Sequence, residues 1–137
     1  MARKNKFALR RDLKDTTRDL ATLNRELASQ MILLASQTGD CKPLIQAVKA
    51  LRQAEDIYTL KAMPKENAEV QRALGDTLLT LGRAQNDLDA LLSAVHAYRA
   101  AITFASMIGD ESMRRNLKKN YAHARDLLSN LQGQSAA

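Results

Sequence analysis

Residues 31–54 read MILLASQTGDCKPLIQAVKALRQA, and residues 78–101 read LLTLGRAQNDLDALLSAVHAYRAA. Laid over one another at an offset of 47, eight of the 24 pairs are identical: Leu34/Leu81, Asp40/Asp87, Leu44/Leu91, Ala47/Ala94, Val48/Val95, Ala50/Ala97, Arg52/Arg99 and Ala54/Ala101. Arg25/Arg72 and Leu27/Leu74 extend the match backward, and a third, partial copy aligns Val70 with Leu117, Leu74 with Tyr121 and Leu81 with Leu128. Self-similarity at a fixed offset of this size signals a stacked unit, each copy burying its apolar face on the next.

Within the unit the apolar spacing is helical. Leu88, Leu91, Leu92, Val95, Tyr98, Ile102, Ala105 and Ile108 follow one another by steps that fall on one face of a helix, as do Leu44, Ile45, Val48, Leu51, Ala54 and Ile57. Val70, Leu74, Leu78 and Leu81 form a stripe on the helix between, and Met113, Leu117, Tyr121, Ala124, Leu128 and Leu131 form the last. Gly39-Asp40 and Gly109-Asp110 each end one helix and cap the next, because an Asp carboxylate accepts from the unpaired N–H groups of a first turn. Gly82 and Asn86 bracket a third junction, and Pro64 suits a first helical turn. The expectation is an all-α fold of stacked antiparallel hairpins, with five helices at about 8–37, 41–62, 65–84, 87–108 and 111–131. Residues 1–7 are read as a disordered basic N-terminus and 132–137 as a disordered tail, flanking one domain over 8–131.

LGDTLLTLG at 74–82, followed by LLSAVHAYRAAI at 91–102, closely resembles a bacterial tetratricopeptide-like repeat with a longer inter-helix insert. Gly75 takes the small position that lets the second helix of a hairpin approach. Ala94 and Ala101 are small on the facing helix, with Tyr98 filling the space between them. Ala28, Ala47, Leu51 and Ala54 take these places in the first copy, and Ala122 replaces the glycine in the last. The resemblance covers residues 20–131 and departs from the family in its 47-residue unit and in lacking the bulky aromatic at the start of the first helix. It implies a binding scaffold whose concave surface is lined by the first helix of each hairpin.

Composition agrees with a packed helical domain. Of the 137 residues, 45% are hydrophobic and 26% charged, with two prolines and five glycines. One cysteine, Cys41, leaves no internal disulfide and no multi-cysteine metal site. The longest uninterrupted apolar run, Met31 to Ala35, is far shorter than a bilayer span, and the basic N-terminus lacks a secretory apolar stretch, so a cytoplasmic protein without a transmembrane segment is expected. The net charge of +6 is uneven. Residues 1–30 carry eight Lys or Arg against four acids, and residues 111–137 carry five against two. Basic ends suit nucleic acid, anionic lipid or an acidic protein, and charge alone does not choose among them.

Three constellations are candidates for function. Arg25, Arg72 and Lys119 stand 47 residues apart, each three residues before the small position of its copy. In stacked hairpins they would form a ladder of cations suited to an acidic peptide, a carboxylate or phosphates. Ser29, Asp76 and His123 repeat in the same way and join them as groove residues. They cannot be a catalytic triad, because the histidine would have to lie between the other two. Arg114, Arg115, Lys118 and Lys119, with Arg125, make a basic knot able to contact phosphates, with no aromatic interleaved except Tyr121, which the repeat assigns to the core.

The third constellation is a heptad seam on the first helix: Leu9, Leu13, Thr16, Leu20, Leu23, Leu27, Gln30 and Leu34, with leucine at every seventh position from Leu13 to Leu34. A first helix of about 30 residues reaches roughly 45 Å against about 30 Å for its hairpin partner, leaving an overhang near residues 8–22. Self-association through Leu9, Leu13 and Leu20, docking onto a larger partner, or bending back would each cover it. The reading that follows is a protein-binding adaptor with no cofactor, no metal and no catalytic group, able to form a homodimer. Nucleic-acid binding through the basic ends is the alternative.

Overall fold

The computed structural model describes residues 2–136, and the side chains of residues 16–134. Five helices follow one another: α1 (Ala2–Thr38), α2 (Lys42–Leu60), α3 (Pro64–Gln85), α4 (Leu88–Ile108) and α5 (Glu111–Ala136). No strand occurs among the described residues, and each helix packs on its neighbours in sequence, most extensively α3 on α4. The result is two antiparallel hairpins, α1–α2 and α3–α4, with α5 laid against the second.

The turns are built by the residues that the sequence put there. Gly39 (φ 73°) and Gly109 (φ 72°) take the left-handed conformation that stops a helix, and Asn86 does the same at φ 49°. Asp87 Oδ1 then accepts from the N–H groups of Asp89 (3.0 Å) and Ala90 (3.2 Å), and Asp110 Oδ1 accepts from Met113 N–H (3.0 Å). Asp40 Oδ1 accepts from Lys42 N–H at 2.9 Å. Gly82 lies within α3, not at a junction. A Cβ there would sit 2.7 Å from Leu91 Cδ2, so its role is close helix approach.

Two boundaries depart from the expected ones. α1 already begins at Ala2, and α5 runs on to Ala136. Neither extension contains proline, and both continue a helix already nucleated, so residues are added at little cost except at Gly133, which the propagation of α5 carries at about 1 kcal/mol.

The core is alanine-rich. Ala21 and Ala28 of α1, Ala47, Leu51, Ala54 and Tyr58 of α2, and Val70, Leu74 and Leu78 of α3 form one buried cluster. Val95, Tyr98, Ala101 and Ala105 of α4 form a second with Leu117 and Ala124 of α5. Small side chains on facing helices let the axes come close, and the few large ones fill the space between them. Helix α4 is, among the described residues, the one helix long and apolar enough by length and composition to cross a membrane. It is also the helix packed between α3 and α5.

Candidate functional site

Helix α3 is covered on two adjoining faces. Gly75 and Gly82 meet α4: a Cβ on Gly75 would lie 2.6 Å from Tyr98 Cε1. The face bearing Asn67, Val70, Leu74 and Leu81 looks back at the first hairpin. Asn67 Nδ2 donates to Thr59 Oγ1 at 3.0 Å, and Leu81 clusters with Ala35 and Leu44. All of these residues are buried.

The residues of α1 at the same places, 47 positions earlier, divide sharply. Ala21, Asn24, Ala28 and Ala35, the counterparts of Ala68, Gln71, Gly75 and Gly82, are buried in the α1–α2 hairpin. Leu20, Leu23, Leu27 and Leu34, the counterparts of Asn67, Val70, Leu74 and Leu81, are 51%, 59%, 47% and 41% exposed. Ile32 and Leu33 are open too, but on other sides of the helix. The leucine seam therefore extends uncovered to Leu34, well past the overhang expected near residues 8–22. Ala21 is the first buried side chain among the described residues of α1; the part of the expected overhang before Thr16 lies outside the described side chains. Leu9 and Leu13 lie outside the described side chains.

The six groove residues do not form one site. Arg25 is half-buried and engaged: its Nη2 donates to Glu69 Oε2 at 2.8 Å, and its guanidinium lies 5.9 Å from the Tyr58 ring centre. Burial opposes its charge, but the Tyr58 hydroxyl and the Glu69 carboxylate outweigh that and raise its pKa. Its partners come from α2 and α3, which nothing in the sequence spacing indicated. The cation ladder thus loses its first rung, because a charge already satisfied by Glu69 attracts a ligand weakly. Asp76 accepts a short hydrogen bond from the Tyr98 hydroxyl. Burial first, then the Asp76 carboxylate, pushes the Tyr98 hydroxyl well above the usual phenol range, with Arg72 opposing. Ser29, Arg72, Lys119 and His123 are exposed, and no hydrogen bond or ion pair joins any two of the six among the described residues.

On α5 the basic knot splits between two faces. Arg114 is half-buried and pairs with Glu111 at 3.4 Å, whereas Arg115, Lys118, Lys119 and Arg125 are exposed. Tyr121 is only half-buried, contrary to the core position expected for it: it packs partly on the α4–α5 cluster while its hydroxyl stays at the surface beside Arg99. Its hydroxyl accepts from Arg99 Nη2 at 3.1 Å, and Arg99 and Arg125 flank its ring at 5.9 and 5.7 Å. The Arg99 hydrogen bond lowers the pKa of its hydroxyl. Arg115, Lys118, Ala122 and Arg125 occupy the places at which α1 and α3 receive the second helix of a hairpin, and all four are exposed.

Among the described residues, no three His, Cys, Asp or Glu side chains gather as a metal site would require. His96 is exposed on α4. Comparison with protein-family models, with curated proteins and with solved structures found no match to this chain. The described residues thus form two packed helical hairpins and a fifth helix, with an apolar face open at one end and a cationic face at the other.

Proposed function

We propose that this protein is a non-catalytic interaction module of the tetratricopeptide-like kind, which docks a helical protein segment on the uncovered leucine face of α1. The observation that carries this reading is the exposure of Leu20, Leu23, Leu27 and Leu34. Four leucines on one face, exposed by between 41% and 59% each, make a contiguous patch of roughly 350 Å², the size at which a monomer's largest apolar patch is often functional. Rows of apolar residues at steps of three and four are how a helix recognises a helix. The original groove remains part of the proposal in reduced form, through Arg72, Lys119 and His123 on α3 and α5, without Arg25.

Affinity isolation from the protein's own cells tests the reading, comparing the unaltered chain with a Leu23→Glu/Leu27→Glu variant and with Arg72→Glu. The expected result is a partner lost from the leucine variant. Partners unchanged by the leucine variant would overturn the docking face, and partners lost on Arg72→Glu alone would move the site to the groove.

A second reading rests on the open cations of α5: Arg115, Lys118, Lys119 and Arg125 are all exposed, with Arg99 close by against Tyr121. Such a face suits a phosphate backbone. Binding of this kind weakens steeply with salt, so gel shifts at low and moderate salt separate it from the first reading.

A further inference from the structure

We propose that the leucine face of α1 is covered by α1 of a second copy of this chain, running antiparallel. The proposal rests on the reading that this face is an interaction surface, and it names the occupant.

Three observations select a second copy. First, the face is the one that α3 and α5 use to join what precedes them. Its counterparts on α3 are buried, and on α5 Leu117 is fully buried with Tyr121 and Leu128 partly so, packed on α4. On α1 the same places hold Leu20, Leu23, Leu27 and Leu34 with nothing against them. The far end of the stack offers no match, since the outer face of α5 presents Arg115, Lys118 and Arg125. The apolar face matches itself better than any other described surface of the chain.

Second, the seam is self-complementary in register. In antiparallel heptad packing the two alternating core positions face each other. Placing Leu20 opposite Leu23 of the second copy sets Leu27 opposite Thr16, Leu34 opposite Leu9 and Leu13 opposite Gln30 by spacing alone, so every seam position finds a partner. The four described leucines of two copies bring together roughly 700 Å², the scale of a weak, reversible pairing.

Third, charge selects the direction. Residues 2–14 carry six Lys or Arg and one acid, and residues 15–38 carry two Arg and three acids. A parallel pair would hold the two basic segments side by side. The antiparallel pair separates them and lays each beside residues 29–41 of the other, which hold one acid and no Lys or Arg. The opposing effect is at the flank, where Asp19 falls beside Glu26 of the second copy, a like-charge pair at a solvated edge that salt screens.

The test is light scattering on the eluting full-length chain over a range of micromolar concentrations. The expected mass is twice the 15.2 kDa of one chain, and Leu20→Glu/Leu27→Glu should elute as a monomer with unchanged helicity, because both leucines are exposed in the single chain. Leu23→Glu is a second variant with the same expected outcome. Orientation is read by oxidative cross-linking in a Cys41→Ser background. Thr16→Cys and Leu27→Cys chains should cross-link when mixed and not separately, and cross-links in each alone would overturn the antiparallel arrangement. A monomer at every concentration, or a dimer that survives the glutamate substitutions, would overturn the pairing. A monomeric chain that still loses a partner on Leu23→Glu/Leu27→Glu would keep the adaptor reading and end only the pairing.

Discussion

Leu74 and Leu27 stand 47 residues apart, at the same place on two helices whose sequences align, yet Leu74 is 1% exposed and Leu27 is 47% exposed. The local chemistry of α1 and α3 does not explain this. Both carry a row of small residues against the second helix of their own hairpin, and both carry a row of larger ones beside it. What differs is position in the stack: among the described residues α3 has a hairpin packed before it, and α1 does not. An apolar row is thus a demand for cover, and the fold meets that demand for α3 from within the chain.

The comparison can be broken most directly by truncating both leucines. Leu74→Ala should cost about 3 kcal/mol, the usual result of emptying a tightly packed site. Leu27→Ala should leave the monomer within about 0.5 kcal/mol of the unaltered chain while weakening any association through α1. Denaturant midpoints of the two variants check this, and equal losses would mean that α1 is packed as α3 is.

The small positions give a second contrast. On helix propensity alone, Gly75→Ala should stabilise by about 1 kcal/mol. The new Cβ would meet the Tyr98 ring at 2.6 Å, and that ring is buried and held by Asp76, so a net loss of about 2 kcal/mol is expected. Ala28→Gly, the mirror change in α1, adds a cavity to a propensity loss and should cost about 1.5 kcal/mol. A stabilised Gly75→Ala would show that α3 and α4 are not in close approach.

Tyr98→Phe sharpens the contrast through its hydroxyl, a polar group for which α1 has no counterpart, since Leu51 stands at the equivalent place on α2. The loss should be about 1 kcal/mol. Because the folded state holds the phenol pKa above its unfolded value, the stabilisation is whole below about pH 10 and is lost as pH rises beyond that. Tyr98→Phe should therefore unfold with a flatter alkaline limb, read by chemical denaturation between neutral pH and pH 11. The smallest effect is expected at Arg25→Gln. Its ion pair with Glu69 is more than a third exposed on both sides and ties α1 to α3, so a loss of about 0.5 kcal/mol, shrinking with salt, should appear.

Much of this was legible in the sequence, for identifiable reasons. The cap at Asp110 and the left-handed glycine turns are local, so spacing revealed them, and the family resemblance implied the close approach at Gly75; the cap at Asp87 was not anticipated, and Asp40, expected to cap α2, stands one residue before its N-cap Cys41. The Arg25–Glu69 pair was not legible, because its members sit 44 residues apart on different helices and only the crossing of the hairpins joins them. Tyr121 was misplaced because the repeat transfers an apolar position but not how fully its neighbours cover it: the ring packs only partly on α4, with its hydroxyl held at the surface by Arg99. The full extent of the open seam was available in principle from the Leu27/Leu74 match. Helix length drew attention to the overhang instead, while the deciding fact was the lack of a hairpin ahead of α1 in the described fold.

The contrast between the chain's two ends also bears on stoichiometry. A stack that was adhesive at both ends would add subunits head to tail and run on into filaments. Here the outer face of α5 presents cations and no apolar row, so in the proposed pairing it offers the leucine face nothing to dock on, and joining runs through α1 alone. Once two leading edges have met, neither copy has another to offer, and assembly by this route closes at two.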